Sequence, residues 1–138
     1  MTVLVLDCSV TMAWLFPDEG GTRAQTLLDR VTEGGAVAPA VWPLEVGNAL
    51  LFAVWRKRID TMHRVRALEK LNNLPIGIDQ ETLSHAWDAT LHIADRFRLT
   101  LYDACYLELA KRRDLPLASF DKKLNATARQ LGLAVLGA

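Results

Sequence analysis

Four carboxylates, Asp7, Glu45, Asp103 and Asp121, are the residues of this chain best placed for chemistry. Asp7 follows a short apolar run, where an unpartnered acid is costly because burial removes its hydration. Four carboxylates brought together would raise one another's pKa unless a cation offset their charge. An all-oxygen ligand set is typical of Mg²⁺ or Mn²⁺ rather than zinc. The pattern therefore predicts a metal site, and such ions activate water and stabilise phosphoryl oxygens in phosphodiester cleavage.

Each acid also has an ordinary structural explanation. Asp121 is typical of a helix N-cap, and Asp103 is the acidic partner of Thr100 in a T-x-x-D capping box. Glu45, in the first turn of a predicted helix, complements the helix dipole. These explanations are preferred for each acid taken singly, so the metal hypothesis depends on the four acids sharing one position in the fold.

The apolar pattern alternates between short strand-like runs and longer helical periods. The predicted strands span residues 3–6, 36–38, 76–78, 115–120 and 134–136. The predicted helices span residues 10–15 after a Ser9 N-cap, 22–32, 43–58, 61–71 after an Asp60–Thr61 cap, a segment capped by Asp79 that includes Ala94, 100–113, and a last helix that begins at Asp121. Strands that alternate with helices indicate a parallel sheet covered on both faces.

The predicted sheet explains how the acids would meet. In an open α/β sheet, ligands collect at the carboxyl ends of the strands, and Asp7 and Asp121 each follow a predicted strand. Helix starts border the same crevice, which brings Glu45 and Asp103 to it as well. We therefore expect a single α/β domain over residues 1–138, with all four acids at one edge of its sheet.

Composition narrows the class of protein. The chain has 138 residues and 51% apolar content, enough to fill one core without disulfides. Sixteen basic residues balance sixteen acidic ones, so any contact with nucleic acid must be local. Cys8 and Cys105 have neither C-x-x-C spacing nor neighbouring histidines, which predicts buried free thiols in a reducing cytosol. With no basic leader and no apolar run of membrane-spanning length, we expect a cytoplasmic protein without membrane contact.

Four ordered motifs carry a family resemblance. They are L-D-C-S-V-T at 6–11, L-E-V-G-N-A-L at 44–50, L-T-L-Y-D-A-C-Y-L-E-L-A at 99–110 and L-P-L-A-S-F-D at 115–121. Together they resemble the PIN-domain ribonucleases, and specifically the VapC-type toxins of bacterial toxin–antitoxin pairs. The resemblance spans nearly the whole chain, and four motifs in the expected order are far more specific than any one alone.

The resemblance implies a fold, an activity and partners. The fold would be a three-layer α/β/α sandwich with a short, mostly parallel five-stranded sheet. The activity would be Mg²⁺-dependent endoribonuclease cleavage of RNA, with Mn²⁺ expected to substitute and one or two ions held by the carboxylates. The partners would be a small cognate antitoxin and a second copy in a homodimer. Carried onto this sequence, the family's acidic site falls on the same four residues, Asp7, Glu45, Asp103 and Asp121.

Two serines are candidates for a supporting role. Ser9 and Ser119 stand two residues from Asp7 and Asp121, where their hydroxyls can hydrogen-bond a carboxylate or a water of the metal. For Ser9, a simple helix N-cap explains the residue equally well.

Three further side chains are candidates for the surroundings of the acids. Asn48 shares the helix face of Glu45 at i+3 and is a poor helix former among apolar residues, which favours a role beside the site. Lys122 and Lys123 fall in a first helical turn, where the dipole disfavours cations, so contact with substrate phosphates is a hypothesis for them. A surface pair that needs no such reason is the preferred alternative.

A possible second metal stripe is given little weight. His85, Asp88 and His92 recur at helical spacing, but they lie opposite the predicted apolar face of Leu83, Trp87, Leu91 and Ala94. We therefore expect them on a solvated face.

Other protein classes with an acid after the first strand fit less well. A haloacid-dehalogenase-like phosphatase needs a second Asp two residues after Asp7, where this chain has Ser9. A receiver-type signalling domain needs an acidic pair there, and Cys8 does not provide it. A PIN-like module that binds without cleaving stays open as the non-enzymatic alternative, although four intact acids argue against it. The sequence does not identify the RNA target.

Overall fold

The computed structural model describes residues 2–137, with the exception of the Pro17 side chain. The elements in chain order are β1 (Val5–Leu6), α1 (Cys8–Leu15), a 3₁₀ turn (Pro17–Glu19), α2 (Thr22–Gly34), β2 (Ala36–Ala38), α3 (Trp42–Trp55), α4 (Thr61–Asn72), β3 (Ile76–Ile78), a 3₁₀ turn (Leu83–His85), α5 (Ala89–Phe97), α6 (Leu101–Arg113), β4 (Leu117–Ala118), α7 (Lys122–Gln130) and β5 (Val135–Leu136).

The five strands form one sheet in the order β3-β2-β1-β4-β5. All four pairings are parallel, and Val5 of β1 lies in register with Val37 on one side and Leu117 on the other. The chain builds outward from β1 to β2 and β3, and then returns to the other side of β1 for β4 and β5. This reversal places a crevice outside the carboxyl ends of β1 and β4. The three-layer α/β/α class is confirmed, with a sheet that is wholly parallel over the described residues.

The core lies on both faces of the central strands. β1, β2 and β4 are buried throughout, as expected for parallel strands that helices cover on both sides. Seven consecutive residues of α6, from Ala104 to Ala110, are also buried, so this helix packs on every side. Because Glu108 falls within this stretch, its charge needs a partner inside the protein.

Helix starts follow the predicted caps in three cases of five. Asp60, Thr100 and Asp121 each accept a backbone N–H three residues ahead and open α4, α6 and α7. The Ser9 cap is wrong: α1 begins at Cys8, and Asp7 accepts the Val10 N–H as its cap. The reason is that Asp7 has an extended backbone and occupies the N-cap position itself.

The predicted helix starting at Asp79 is also wrong. Residues 80–88 form turns, and α5 begins only at Ala89, with Asp88 as its cap. The Asp79 carboxylate instead accepts hydrogen bonds from Arg112 and Thr82, so it does not cap a helix.

The apolar face expected on that helix is lost with it. Leu83 and Trp87 are 75% and 88% exposed, and Ile93 and Ala94 provide the buried face of α5. His85 belongs to the 3₁₀ turn and His92 to α5, so the two histidines do not share a continuous helix. His92 is exposed, as expected for a solvated position.

The two cysteines are free thiols, as predicted. Cys105 is buried and Cys8 half-buried, and burial raises the pKa of Cys8 to about 12 and that of Cys105 to about 11. Both thiols are therefore protonated at neutral pH. No helix within residues 2–137 combines the length and apolar character that a membrane span requires.

Candidate active site

Asp7 lies at the turn between β1 and α1 and is only 4% exposed. Its Oδ1 accepts hydrogen bonds from the Ser9 hydroxyl at 2.7 Å and the Val10 N–H at 3.1 Å, and its Oδ2 accepts one from the Ser119 hydroxyl at 2.5 Å. Burial raises the pKa of Asp7 even though these three donors oppose the shift, and the charge of Asp121 raises it further. The buried carboxylate is thus held by donors but has no cationic partner among them.

The two serine hydroxyls tie β1 to β4. The Ser119 hydroxyl accepts the Asp121 N–H at 3.0 Å, and the Ser9 hydroxyl accepts the Phe120 N–H at 2.9 Å. Since each hydroxyl has one proton, accepting these amides leaves that proton free to be donated to Asp7. The serines therefore orient Asp7 and fix the turns after the two strands on either side of the switch point.

Glu45 lies in the first turn of α3 and is half-buried. Burial raises its pKa, a hydrogen bond from the Tyr106 hydroxyl to its Oε1 opposes the shift, and the charges of Asp103 and Asp7 add to it. Tyr106 is buried in α6, one turn after Asp103. The sequence analysis missed this tyrosine, although its i+3 spacing from Asp103 places both on one helix face.

Asp103 and Asp121 complete the set from the starts of α6 and α7. Asp103 is half-buried, and its pKa is raised first by burial and then by the charge of Asp121, with Thr100 and Lys123 opposing. Asp121 is exposed, and its Oδ1 accepts the Leu124 N–H at 2.9 Å. The capping role expected for Asp121 is confirmed, and it coexists with a place beside the other acids.

The four acids form one electrostatically connected group. The charge of Asp121 raises the pKa values of Asp7 and Asp103, and the charges of Asp7 and Asp103 raise the pKa of Glu45. None of the salt bridges in the described part of the chain involves any of the four. We call this group the acidic edge. Hydrogen bonds, and for Asp103 the charge of Lys123, oppose the rise in these pKa values, and no arginine does.

The chemistry of the acidic edge fits a hard divalent cation, because its donors are carboxylate oxygens and the pKa values of Asp7, Glu45 and Asp103 are all raised. Over residues 2–137, however, no three His, Cys, Asp or Glu side chains are grouped closely enough to hold an ion. Asp7 and Glu45 are turned toward the hydroxyls of Ser9, Ser119 and Tyr106. In this arrangement the hydroxyls are the hydrogen-bond partners of these two carboxylates.

A cleft of about 590 Å³ opens beside two of the acids. Its walls come from the starts of α3 and α6, and the residues that line it are Val41, Leu44, Glu45, Asn48, Thr100, Tyr102 and Asp103. Asn48 thus lies in one cleft with Glu45 and Asp103. Lys122 and Lys123 are both exposed in the first turn of α7, and the Lys123 ammonium donates to the Arg98 carbonyl at 3.0 Å.

Solved structures share this fold at low sequence identity. PAE2754 from Pyrobaculum aerophilum is similar with a TM-score of 0.71 and 23% identity, covering 97% of this chain and 83% of that one. FitAcB from Neisseria gonorrhoeae is similar with a TM-score of 0.61 and 18% identity, covering 97% of this chain and 96% of that one. A toxin–antitoxin complex from Klebsiella pneumoniae is similar with a TM-score of 0.52 and 15% identity, covering 89% of this chain and 90% of that one. These likenesses establish the fold.

Family membership rests on the sequence itself. No curated protein sequence gave a match to this chain. The sequence profile of the PIN domain matches residues 4–130, which include all four acids and both serines. Since that match covers most of the chain and the sheet has the corresponding topology, this chain belongs to the PIN domain family.

Proposed function

We propose that this chain is a Mg²⁺-dependent endoribonuclease and the toxin of a toxin–antitoxin pair. The observation that supports the proposal is the acidic edge, in which the charges of neighbouring carboxylates raise the pKa values of Asp7, Glu45 and Asp103 beside a sheet switch point. No salt bridge in the described part of the chain joins an arginine or lysine to these acids or to Asp121. PIN domains are generally nucleases that act on phosphodiesters, and such nucleases generally use divalent metals. Both facts support a hydrolase at this edge.

The residues proposed to hold Mg²⁺, or Mn²⁺ in its place, are Asp7, Glu45, Asp103 and Asp121. Such an ion supplies Lewis-acid polarisation of the phosphodiester and activation of a water molecule. The protein supplies orientation: Ser9 and Ser119 hold the Asp7 carboxylate from two sides, and Tyr106 holds Glu45. Burial and the Glu45 hydrogen bond raise the Tyr106 pKa far above its usual range, so this phenol stays a hydrogen-bond donor.

A protein nucleophile is disfavoured at this site. The thiol nearest in sequence to Asp7 is Cys8, whose pKa of about 12 leaves almost no thiolate at neutral pH. Burial is the main cause, and the charges of Glu45 and Asp7 raise this pKa further. Hydrolysis by water is therefore the mechanism that we propose.

Substrate phosphates are proposed to approach from the side of α7. Lys122 and Lys123 follow Asp121 and are exposed, and because the chain as a whole has no net charge, any attraction of RNA must be local. Replacing both lysines with alanine should weaken RNA binding at low salt. Unchanged affinity in that double variant would remove the lysines from the proposed site.

An antitoxin and a second copy of the chain are the proposed protein partners. The similarity in fold to a toxin–antitoxin complex supports the first. Large apolar side chains exposed on α3 and α4 support a surface that another protein covers, and they are Phe52, Trp55, Met62, Val65 and Leu68. The free, protonated thiols are consistent with the cytoplasmic location that we propose.

The experiment that tests the proposal is cleavage of a panel of structured RNAs and matching DNAs by purified protein. The native protein is assayed with Mg²⁺, with Mn²⁺ and with EDTA, and the Asp7→Asn variant is assayed with Mg²⁺. Asp95→Asn is the matched control variant, because Asp95 is an exposed acid on α5. We expect RNA cleavage with either metal, its loss in EDTA, and a drop of about 100-fold or more in Asp7→Asn only. Absence of cleavage by folded protein across the panel would favour the silent binding module instead.

A further inference from the structure

Two exposed apolar side chains stand at the mouth of the cleft beside the acidic edge. Leu44 is 75% exposed and Tyr102 is 63% exposed, and each directly precedes an acid of the site in the first turn of its helix. Both line the same cleft of about 590 Å³, together with Glu45 and Asp103. An isolated exposed apolar residue needs no explanation. Two that line one cleft beside two carboxylates of the acidic edge do need one.

Tyr102 is exceptional within its own helix. The seven residues from Ala104 to Ala110 are buried, and Tyr102 is the large apolar side chain of α6 that is left exposed. The other tyrosine of this helix, Tyr106, is buried with its hydroxyl on Glu45. Packing therefore accounts for one aromatic ring of α6 and leaves the second on the surface at the cleft.

The charge of the cleft determines what can occupy it. Its ionisable lining groups are Glu45 and Asp103, both acidic, and no Lys or Arg is among the lining residues. The lining therefore offers no cationic side chain to a phosphate, whereas a neutral nucleobase offers a flat apolar face and exocyclic amines that donate hydrogen bonds. Asn48 adds an amide donor and acceptor to the same cleft. The cleft volume falls within the range of about 300–1,000 Å³ typical of small-ligand sites.

We propose that Leu44 and Tyr102 form a nucleobase subsite, in which an unpaired base of the substrate stacks on the Tyr102 ring, with Leu44 and Asn48 lining the remaining walls. The subsite rests on the proposed function, because the base must belong to a polynucleotide whose backbone reaches the acidic edge. Stacking requires a base that is not already paired, so the subsite selects single-stranded segments and loops over duplex. Tyr102 is accordingly a positioning residue, and the carboxylates perform the chemistry.

Binding tests the subsite independently of cleavage. The protein is Asp7→Asn, in which cleavage is expected to fall about 100-fold or more. The probe is an eight-nucleotide single-stranded RNA with one 2-aminopurine, whose fluorescence reports stacking. In this background we compare Tyr102→Phe, Tyr102→Ala and, as a matched control, Trp87→Ala, since Trp87 is an exposed aromatic outside the cleft. Tyr102→Phe should bind like the parent, and Tyr102→Ala about 5- to 150-fold more weakly, with loss of the stacking signal. Trp87→Ala should have no effect.

Three results would overturn the subsite. They are equal affinity of Tyr102→Ala and its parent, equal losses in Tyr102→Phe and Tyr102→Ala, and equal dependence on Tyr102 for a blunt RNA duplex. A Tyr102→Ala variant that changes sedimentation but not oligonucleotide affinity would also overturn it and would assign this face to a protein interface.

The same variants separate the subsite from the proposed activity. In the otherwise native protein, Tyr102→Ala should raise the KM for single-stranded RNA and leave kcat nearly unchanged, whereas Tyr102→Phe should leave both unchanged. Normal cleavage with no effect of Tyr102→Ala on either affinity or KM would overturn the subsite and leave the nuclease standing. Absence of cleavage combined with Tyr102-dependent binding would support the subsite and refute the nuclease.

Discussion

The protein treats two groups of carboxylates in opposite ways. The first, which we call the arginine cluster, consists of the buried Asp79 and Glu108 around Arg112. Arg112 donates to Asp79 Oδ2 at 2.6 Å and to Glu108 Oε2 at 2.8 Å. Burial alone would raise the pKa of Asp79, but hydrogen bonds from Arg112 and Thr82 and the charge of Arg112 hold it below its ordinary value. These contacts raise the Arg112 pKa as well.

The acidic edge has the same kind of acid without the arginine. Burial raises the pKa values of Asp7, Glu45 and Asp103, and the neighbouring carboxylates add to the rise rather than cancel it. This fold can therefore neutralise buried carboxylates with an arginine of its own, and no arginine does so at the switch point. Acids held at raised pKa values are costly to keep charged, and the cation that we propose for this edge would supply the positive charge that arginine does not.

The largest expected effect is on the stability of the arginine cluster. Arg112→Met leaves two buried carboxylates without their cation and should lower the free energy of unfolding by about 3–5 kcal/mol. Arg113→Met is the matched control, because Arg113 is the exposed neighbour on α6 and should change stability by about 0.5 kcal/mol at most. Urea unfolding measures both. Equal effects of the two substitutions would show that the cluster does not depend on its arginine.

The next effect concerns the acidic edge. A cation that binds only the folded protein should raise the free energy of unfolding, by about 2.7 kcal/mol at a Mg²⁺ concentration 100 times its dissociation constant. The gain should disappear in Asp7→Asn and persist in Asp95→Asn, with urea midpoints compared in Mg²⁺ and in EDTA. If Asp7→Asn gained as much from Mg²⁺ as the parent, the ion would bind elsewhere.

A smaller effect is expected from the tyrosine that orients Glu45. Tyr106→Phe removes the hydroxyl that donates to Glu45 and retains the buried ring. Losing such a supporting hydrogen bond should lower cleavage or metal affinity by about tenfold. The pH–rate profile should also move to higher pH, because that bond lowers the Glu45 pKa. An unchanged profile at reduced activity would assign Tyr106 a packing role only.

The smallest effect is the pH dependence of stability in EDTA, which should have opposite signs for the two groups. At the acidic edge the folded state binds protons more tightly, so stability falls as pH rises above the ordinary Asp value of 3.8 toward the raised pKa values. For Asp79 the folded pKa is lowered, so its contribution is present above 3.8 and is lost as pH falls through the folded value.

Urea midpoints across pH test these two windows. Asp7→Asn should weaken the pH dependence of stability in the range above pH 3.8, where the acidic edge titrates. Asp79→Asn should weaken it in the range below pH 3.8, where Asp79 titrates. The same slope in both windows, or flattening of the wrong window, would contradict the contrast between the groups.

The parts of this fold that were predictable depend on local signals. Strands 36–38 and 76–78 were predicted with the bounds that the structure has, because short apolar runs between turn residues are read from the sequence directly. The caps at Asp60, Thr100 and Asp121 follow from residue types next to helical periods. The places of Glu45 and Asp103 in first helical turns were correct for the same reason.

The parts that were missed depend on distant partners. Asp79 has the composition of a helix cap, but Arg112, 33 residues away, takes its carboxylate and the helix starts ten residues later. Ser9 resembles a cap because it is a serine in front of a helical run. Its actual partner, the Phe120 N–H, lies 111 residues away, so the sequence near Ser9 does not reveal that hydrogen bond. Tyr106 stands among apolar residues in the sequence, which predicts only core packing, and the ring is indeed buried. Its hydrogen bond to Glu45, 61 residues away, has no local signal in the sequence. Whether the four acids share one ion remains the central prediction.

The most direct test of that prediction is anomalous X-ray scattering from crystals of the protein grown with Mn²⁺. We expect a manganese peak at coordination distance from carboxylate oxygens of Asp7 and at least one of Glu45, Asp103 and Asp121, and no such peak in Asp7→Asn crystals. A fully occupied Mn²⁺ site elsewhere, with the acidic edge still bonded to its hydroxyl donors and holding no ion, would contradict it.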